Sequence, residues 1–144
     1  MAQACGVVFV DRQSTRSTLK MVESVTTALR HGYCVAGFPE GTSSEGQDVR
    51  LFHANLFEAA VHHQVQVQPV ALRYTDEATG ALCLRAAFVG DLGFVQSLHR
   101  IMSAPGIQAA VYVGDRLSPI GHSRRSLAKL SHYCVRTQLA ALGS

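Results

Sequence analysis

Along the chain, short β-branched apolar runs alternate with helical stripes. Residues 5–11 (CGVVFVD) form a compact apolar run and predict a buried strand. Ser14 and Ser17 offer N-caps to a helix whose stripe is Leu19, Val22, Val25 and Leu29, and Gly32 supplies its stop. Residues 33–38 predict a second strand, and residues 39–48, polar and Gly-rich, a loop without regular structure. A helix is expected over residues 52–63. Residues 65–74 and 81–89 read as two strands joined by a turn at 76–80. Phe94, Leu98 and Ile101 predict a short helix, and residues 107–114 another strand. Ser123 caps a last helix through Leu142, with Leu127, Leu130, Cys134 and Leu139 near one face. This alternation predicts one α/β domain over residues 1–144, a layered sheet of mostly parallel strands flanked by helices. The first strand opens almost at Met1, so the sheet is expected to be truncated at its N-terminus.

Composition narrows the class. Hydrophobic residues make up 47% and charged residues 16%, which excludes a disordered chain. No run of apolar residues is long enough to span a membrane, and residues 1–5 lack the pattern of a secretory signal. The expected location is therefore cytoplasmic. A net charge of +3 without a basic run does not call for a nucleic-acid partner. Cys5, Cys34, Cys83 and Cys134 stand far apart without CxxC spacing, and three of them lie inside apolar segments, which predicts reduced, buried thiols.

The segment richest in chemistry is Phe38-Pro39-Glu40-Gly41-Thr42-Ser43-Ser44, between an apolar run and an expected helix. A Gly-containing loop at a strand's C-terminal end can turn backbone N–H groups toward an anion, and the three hydroxyls add donors. Glu40 does not suit a pure phosphate cradle; its carboxylate suits a substrate hydroxyl or the holding of an arginine. On composition alone, a surface loop of turn formers is the competing reading.

FPEGT resembles the third sequence block of the glycerolipid acyltransferases, the 1-acyl-sn-glycerol-3-phosphate acyltransferase-like family. Gly6-Val7-Val8-Phe9-Val10-Asp11-Arg12 is similar to that family's second block, Gly-x-x-Phe-x-x-Arg, and Val67-Gln68-Pro69-Val70-Ala71-Leu72 to its fourth. Gly90-Asp91, with Phe94, Ser97 and Leu98, resembles the family's C-terminal half. The resemblance implies acyl transfer from acyl-CoA or acyl carrier protein to a lysophospholipid, with no further cofactor and with peripheral contact on the inner face of the membrane; ligand spacing in the chain does not call for a metal. It implies substrate-binding roles for Arg12, Glu40, Gly41, Thr42, Ser43 and Arg50. Two departures stand out. The family's first block pairs a His with an Asp five positions on, as general base and its orienting carboxylate, and no His here has that partner. Ser43 stands where many members carry Arg, and Arg50 is the expected substitute. The chain alone is therefore expected to be inactive; the alternative is a non-catalytic remnant that binds anionic lipid or a partner.

Other candidates weigh less. His53 and Glu58 have the His-x4-carboxylate offset, but five helical residues turn the pair about 140° apart. His62 and His63 read as solvated residues at a helix end, and Arg124-Arg125 as a solvated face able to meet lipid headgroups.

Overall fold

The computed structural model describes residues 15–42, 44–87, 93–103 and 106–142. The expected strand over residues 5–11, the Gly-x-x-Phe-x-x-Arg pattern with Arg12, and Gly90-Asp91 lie outside them. Helix α1 spans Thr15–Arg30. It ends as its sequence predicts. Gly32 sits at φ +78, its N–H reaches the Leu29 carbonyl at 3.0 Å, and the Tyr33 N–H reaches the Ala28 carbonyl at 3.0 Å. This pair of bonds is a Schellman stop. Of the α1 stripe only Val25 is buried, while Leu19 is exposed.

Residues 33–38 do not form the expected strand: they carry no ladder and are exposed throughout. A strand exists only where a neighbour takes its N–H and C=O groups, and the ladder and bridges among the described residues do not include 33–38. The expected helix over 52–63 is broken. Ala54–Phe57 is a 3-10 turn and α2 covers only Glu58–His62. His53, at the N-cap, makes no side-chain cap bond, so the first turn tightens instead of opening as α-helix.

Strand β1 is Val70–Asp76 and strand β2 is Ile107–Val113. They pair antiparallel, with Val70 opposite Val113 and Asp76 opposite Ile107. The described sheet thus has two antiparallel strands, where a layered, mostly parallel sheet was expected. β1 starts at Val70 and not at residue 65 because Pro69 has no N–H to give. Upstream there is a single bridge, Val67 to Leu117. The described part of the strand expected over 81–89, residues 81–87, holds one bridge, Leu82 to Thr75, followed by a 3-10 turn, Leu84–Ala86. The turn between them is as predicted. The Asp76 carboxylate accepts from the N–H groups of Ala78 and Thr79 and from Arg85.

Helix α3 is Phe94–Met102 and α4 is Arg124–Ala141. Ser123 caps α4 in a reciprocal box. Its hydroxyl accepts from the Ser126 N–H at 3.2 Å, and the Ser126 hydroxyl accepts from the Ser123 N–H at 2.9 Å. The core lies between α4 and the 52–62 segment, where Phe57, Leu127 and Ala128 are buried against Phe52, Leu56, Val61, Val67 and Leu117. β1 packs on α4 and buries Ala71. The alternate residues Val70, Leu72 and Tyr74 share the other face with Val111 and Val113, and all five are exposed. Cys83 is buried as expected, Cys134 is half-buried, and Cys34 is exposed. The last reverses the expectation, because Cys34 lies on the unpaired 33–38 segment.

Candidate active site

The loop from Pro39 to Arg50 is closed by two bonds at its neck. The His53 N–H donates to the Pro39 carbonyl at 2.8 Å. The Arg50 N–H donates to Glu40 Oε2 at 2.8 Å. This bond is made by the Arg50 main chain and not by its guanidinium. Glu40 and Arg50 meet at this neck, and Gly41 and Thr42 follow Glu40 in the chain; Ser43 and Arg12 lie outside the described residues.

Gly41 adopts φ +69, where an L side chain is strained. A Cβ there would stand 2.8 Å from His53 Cδ2, so glycine is what lets the His53 ring lie against the loop. The loop also spends several of its own N–H groups. Gly41 donates to the Phe38 carbonyl at 3.2 Å, Gly46 to the Ser44 hydroxyl at 3.3 Å, and Val49 to Asp48 Oδ1 at 2.8 Å. Arg50 lines an open depression of about 360 Å³ with Ser44, Glu45, Gln47 and Asp48.

Helix α4 holds the loop's far side. Arg136 grips Asp48 with two bonds, Nε to Oδ1 at 3.1 Å and Nη2 to Oδ2 at 3.3 Å. The His132 ring donates from Nε2 to the Val49 carbonyl at 3.1 Å, and Phe52 meets that ring edge-on. The Val49 N–H, aided by Arg136, holds the Asp48 carboxyl below its ordinary 3.8. These α4 residues carry no local motif. Their partners are 83 and 88 residues away in sequence, a separation that periodicity does not reveal.

His53 and Glu58 do not form a catalytic pair. The Glu58 carboxylate is taken by Arg124 Nη1 at 2.6 Å, a bond that ties α2 to α4. Arg124 is accordingly paired and not a free basic face. His62 and His63 meet edge to face, with ring centroids 4.9 Å apart. Among the described residues, no helix is long and apolar enough to cross a membrane.

Residues 1–73 match the Acyltransferase family model. A lyso-ornithine lipid O-acyltransferase of Pseudomonas aeruginosa is 32% identical over 142 residues, 96% of this chain and 53% of that protein. One of the same name from Rhodobacter capsulatus is 35% identical, over 95% of this chain and 51% of that protein. A 1-acyl-sn-glycerol-3-phosphate acyltransferase of Neisseria gonorrhoeae is 38% identical over 103 residues, 72% of this chain and 40% of that protein. The chain spans about half the length of the curated relatives it matches. No solved structure matches it. The matched half contains the Glu40-Gly41-Thr42 loop and both bonds of its neck, and on that match the chain belongs to the glycerolipid acyltransferase family.

Proposed function

We propose that the protein acts in transfer of an acyl group from acyl-CoA or acyl carrier protein to a lysophospholipid, with these residues holding the acceptor. The acceptor's hydroxyl attacks the thioester carbonyl, an ester bond forms, the thioester C–S bond breaks, and the thiol departs with the hydroxyl's proton. The observation that supports the reading is the closed neck, in which the Arg50 main chain is bonded to Glu40. Arg50 meets the acceptor's phosphate, together with Arg12 as the family resemblance implies. Glu40 positions Arg50. Phe38 and Leu51, 85% and 80% exposed, flank the loop with apolar surface of the kind an acyl chain takes. The finer fold reading, in which the two described strands belong to a larger, mostly parallel sheet, is part of this proposal.

A second reading changes the acceptor. The relatives named for lyso-ornithine lipid align with 95% and 96% of this chain, against 72% for the one named for 1-acyl-sn-glycerol-3-phosphate. Ser43, where many members carry Arg, suits an acceptor with an amino-acid headgroup in place of a phosphate.

Calorimetry with each lysolipid tests both. A bidentate charge-assisted contact is worth roughly 1.5–3 kcal/mol, so Arg50→Ala is expected to weaken binding about tenfold or more. Arg125→Ala, on the exposed start of α4, is the control. Unchanged affinity of Arg50→Ala, or no affinity for either lipid, removes the reading. The same preparation is expected to release no free thiol from acyl-CoA, because no His in the chain stands five residues before an Asp.

A further inference from the structure

One peptide unit of the loop, the one joining Val49 to Arg50, is held from both sides. Its N–H, on Arg50, donates to Glu40 Oε2 at 2.8 Å. Its C=O, on Val49, accepts from His132 Nε2 at 3.1 Å. A carbonyl only accepts, so the ring nitrogen that faces it carries the proton. The unit is trans and planar, so its N–H and C=O point opposite ways and partners on both fix the plane. The Glu40 bond alone would let the plane rock about a single contact; the His132 bond stops it. His132 is itself anchored. It stands on the 18-residue helix α4, half-buried, and Phe52 meets its ring edge-on with centroids 5.3 Å apart. Phe52 in turn packs against Phe57 and Leu127 of the core. Arg50 has no such support of its own. It is exposed, and among the described residues its guanidinium enters no ion pair.

We propose that His132 is a positioning residue for the lipid acceptor: through the Val49–Arg50 peptide it sets where the Arg50 guanidinium meets the anionic headgroup. The proposal rests on the acyl-transfer reading for its ligand and adds to it a residue of the last helix, 83 positions from its partner. A guanidinium at the end of a long side chain magnifies any tilt of the peptide that carries it. Forked, charge-assisted bonds to phosphate or carboxylate need that fork aimed. Holding the anchor before the acceptor arrives removes part of the ordering cost from binding. His132 is thereby distinct from Arg136, which grips the Asp48 carboxylate and not the peptide that carries Arg50.

A double-mutant cycle on the whole chain tests this, read by calorimetry with lysophosphatidic acid and with lyso-ornithine lipid, each kept below its micelle-forming concentration. His132→Leu keeps bulk against Phe52 and removes the N–H. It is expected to weaken binding about threefold to tenfold, the range of one hydrogen bond. In the Arg50→Ala background the same substitution is expected to change affinity by less than about twofold, since no guanidinium is left to aim. His132→Gln, whose amide places an N–H near the Nε2 position, is expected to recover most of the affinity. Ser123→Ala removes the α4 cap and lowers stability, and is expected to bind as the parent does. Unfolding midpoints report which variants fold. Should His132→Leu not fold, His132→Asn, whose shorter amide falls short of Val49, takes its place in the cycle. Equal affinity of parent and His132→Leu overturns the inference. So does a loss of the same size with and without the Arg50 side chain, because His132 would then act on stability or on the lipid directly. Either result, with Arg50→Ala still weakened, leaves the acyl-transfer reading standing. A parent that binds neither lysolipid removes both.

Discussion

At the scale of single residues, the site depends on conformations that few other side chains would adopt. Gly41 is the sharpest case. A Cβ there meets strain from φ +69 and contact with the His53 ring, whose Nε2 would be 2.9 Å away. The left-handed conformation costs an ordinary residue roughly 1–2 kcal/mol. Gly41→Ala should therefore lower the unfolding midpoint and turn the His53 ring away, which its proton resonances would report. An unaltered ring environment would contradict the close approach. Asp48 gives a pH signature. Its carboxyl is lowered from 3.8 by the Val49 N–H and by Arg136. The charged form is the one that holds the loop to α4, so the tie is complete above 3.8 and is lost as pH falls through the lowered value. Protection of the loop amides, taken as the exchange rate relative to an unstructured peptide at the same pH, should be full above 3.8 and fall as pH drops through the lowered value, and Asp48→Asn should show the reduced protection throughout. The same fall in protection in both proteins would place the acid sensitivity elsewhere.

At the scale of elements, boundaries written in local chemistry were legible and pairings were not. The Gly32 stop and the Ser123 cap were visible because each depends on one residue and its near neighbours. Strand β2 was visible from its run of β-branched and small residues. The strand expected over 33–38 failed because a ladder needs a partner, and apolar content does not say whether one is adjacent. The helix over 52–63 was half right. Its apolar spacing is real, but an uncapped first turn became 3-10. The Ser123 box allows a direct check. Its loss should destabilise the chain by about 1 kcal/mol, seen as a lower denaturant midpoint for Ser123→Ala. Ser123→Asp should keep most of the stability, since a carboxylate caps as well.

At the scale of the whole molecule, the core is small and much apolar surface is left over. Val70, Leu72, Tyr74, Val111 and Val113 share one open sheet face. Such a patch favours association, and β2 also has an open edge among the described residues. The isolated chain should scatter light as an oligomer at micromolar concentration, and Val111→Lys with Val113→Lys should return it to monomer. A parent that sediments as a monomer would show the face to be harmless. At this scale the sequence was informative about kinship and less so about architecture. FPEGT and its flanking blocks carried the family because they are contiguous. The ties from α4 to the loop, Arg136 to Asp48 and His132 to Val49, needed coordinates.

The two bonds at the loop's neck separate what the loop contains from what holds it. Pro39 and Glu40 on one side and Arg50 and His53 on the other carry the closure with backbone N–H groups, so three of the four positions serve through atoms that most residues possess. Doubling the length of a closed loop costs only about 0.6 kcal/mol of extra entropy. The stretch between Glu45 and Gln47 can therefore lengthen, shorten or change its charge while the neck keeps its shape. A loop built this way is free to vary at its tip, without the rest of the chain having to refold around each change.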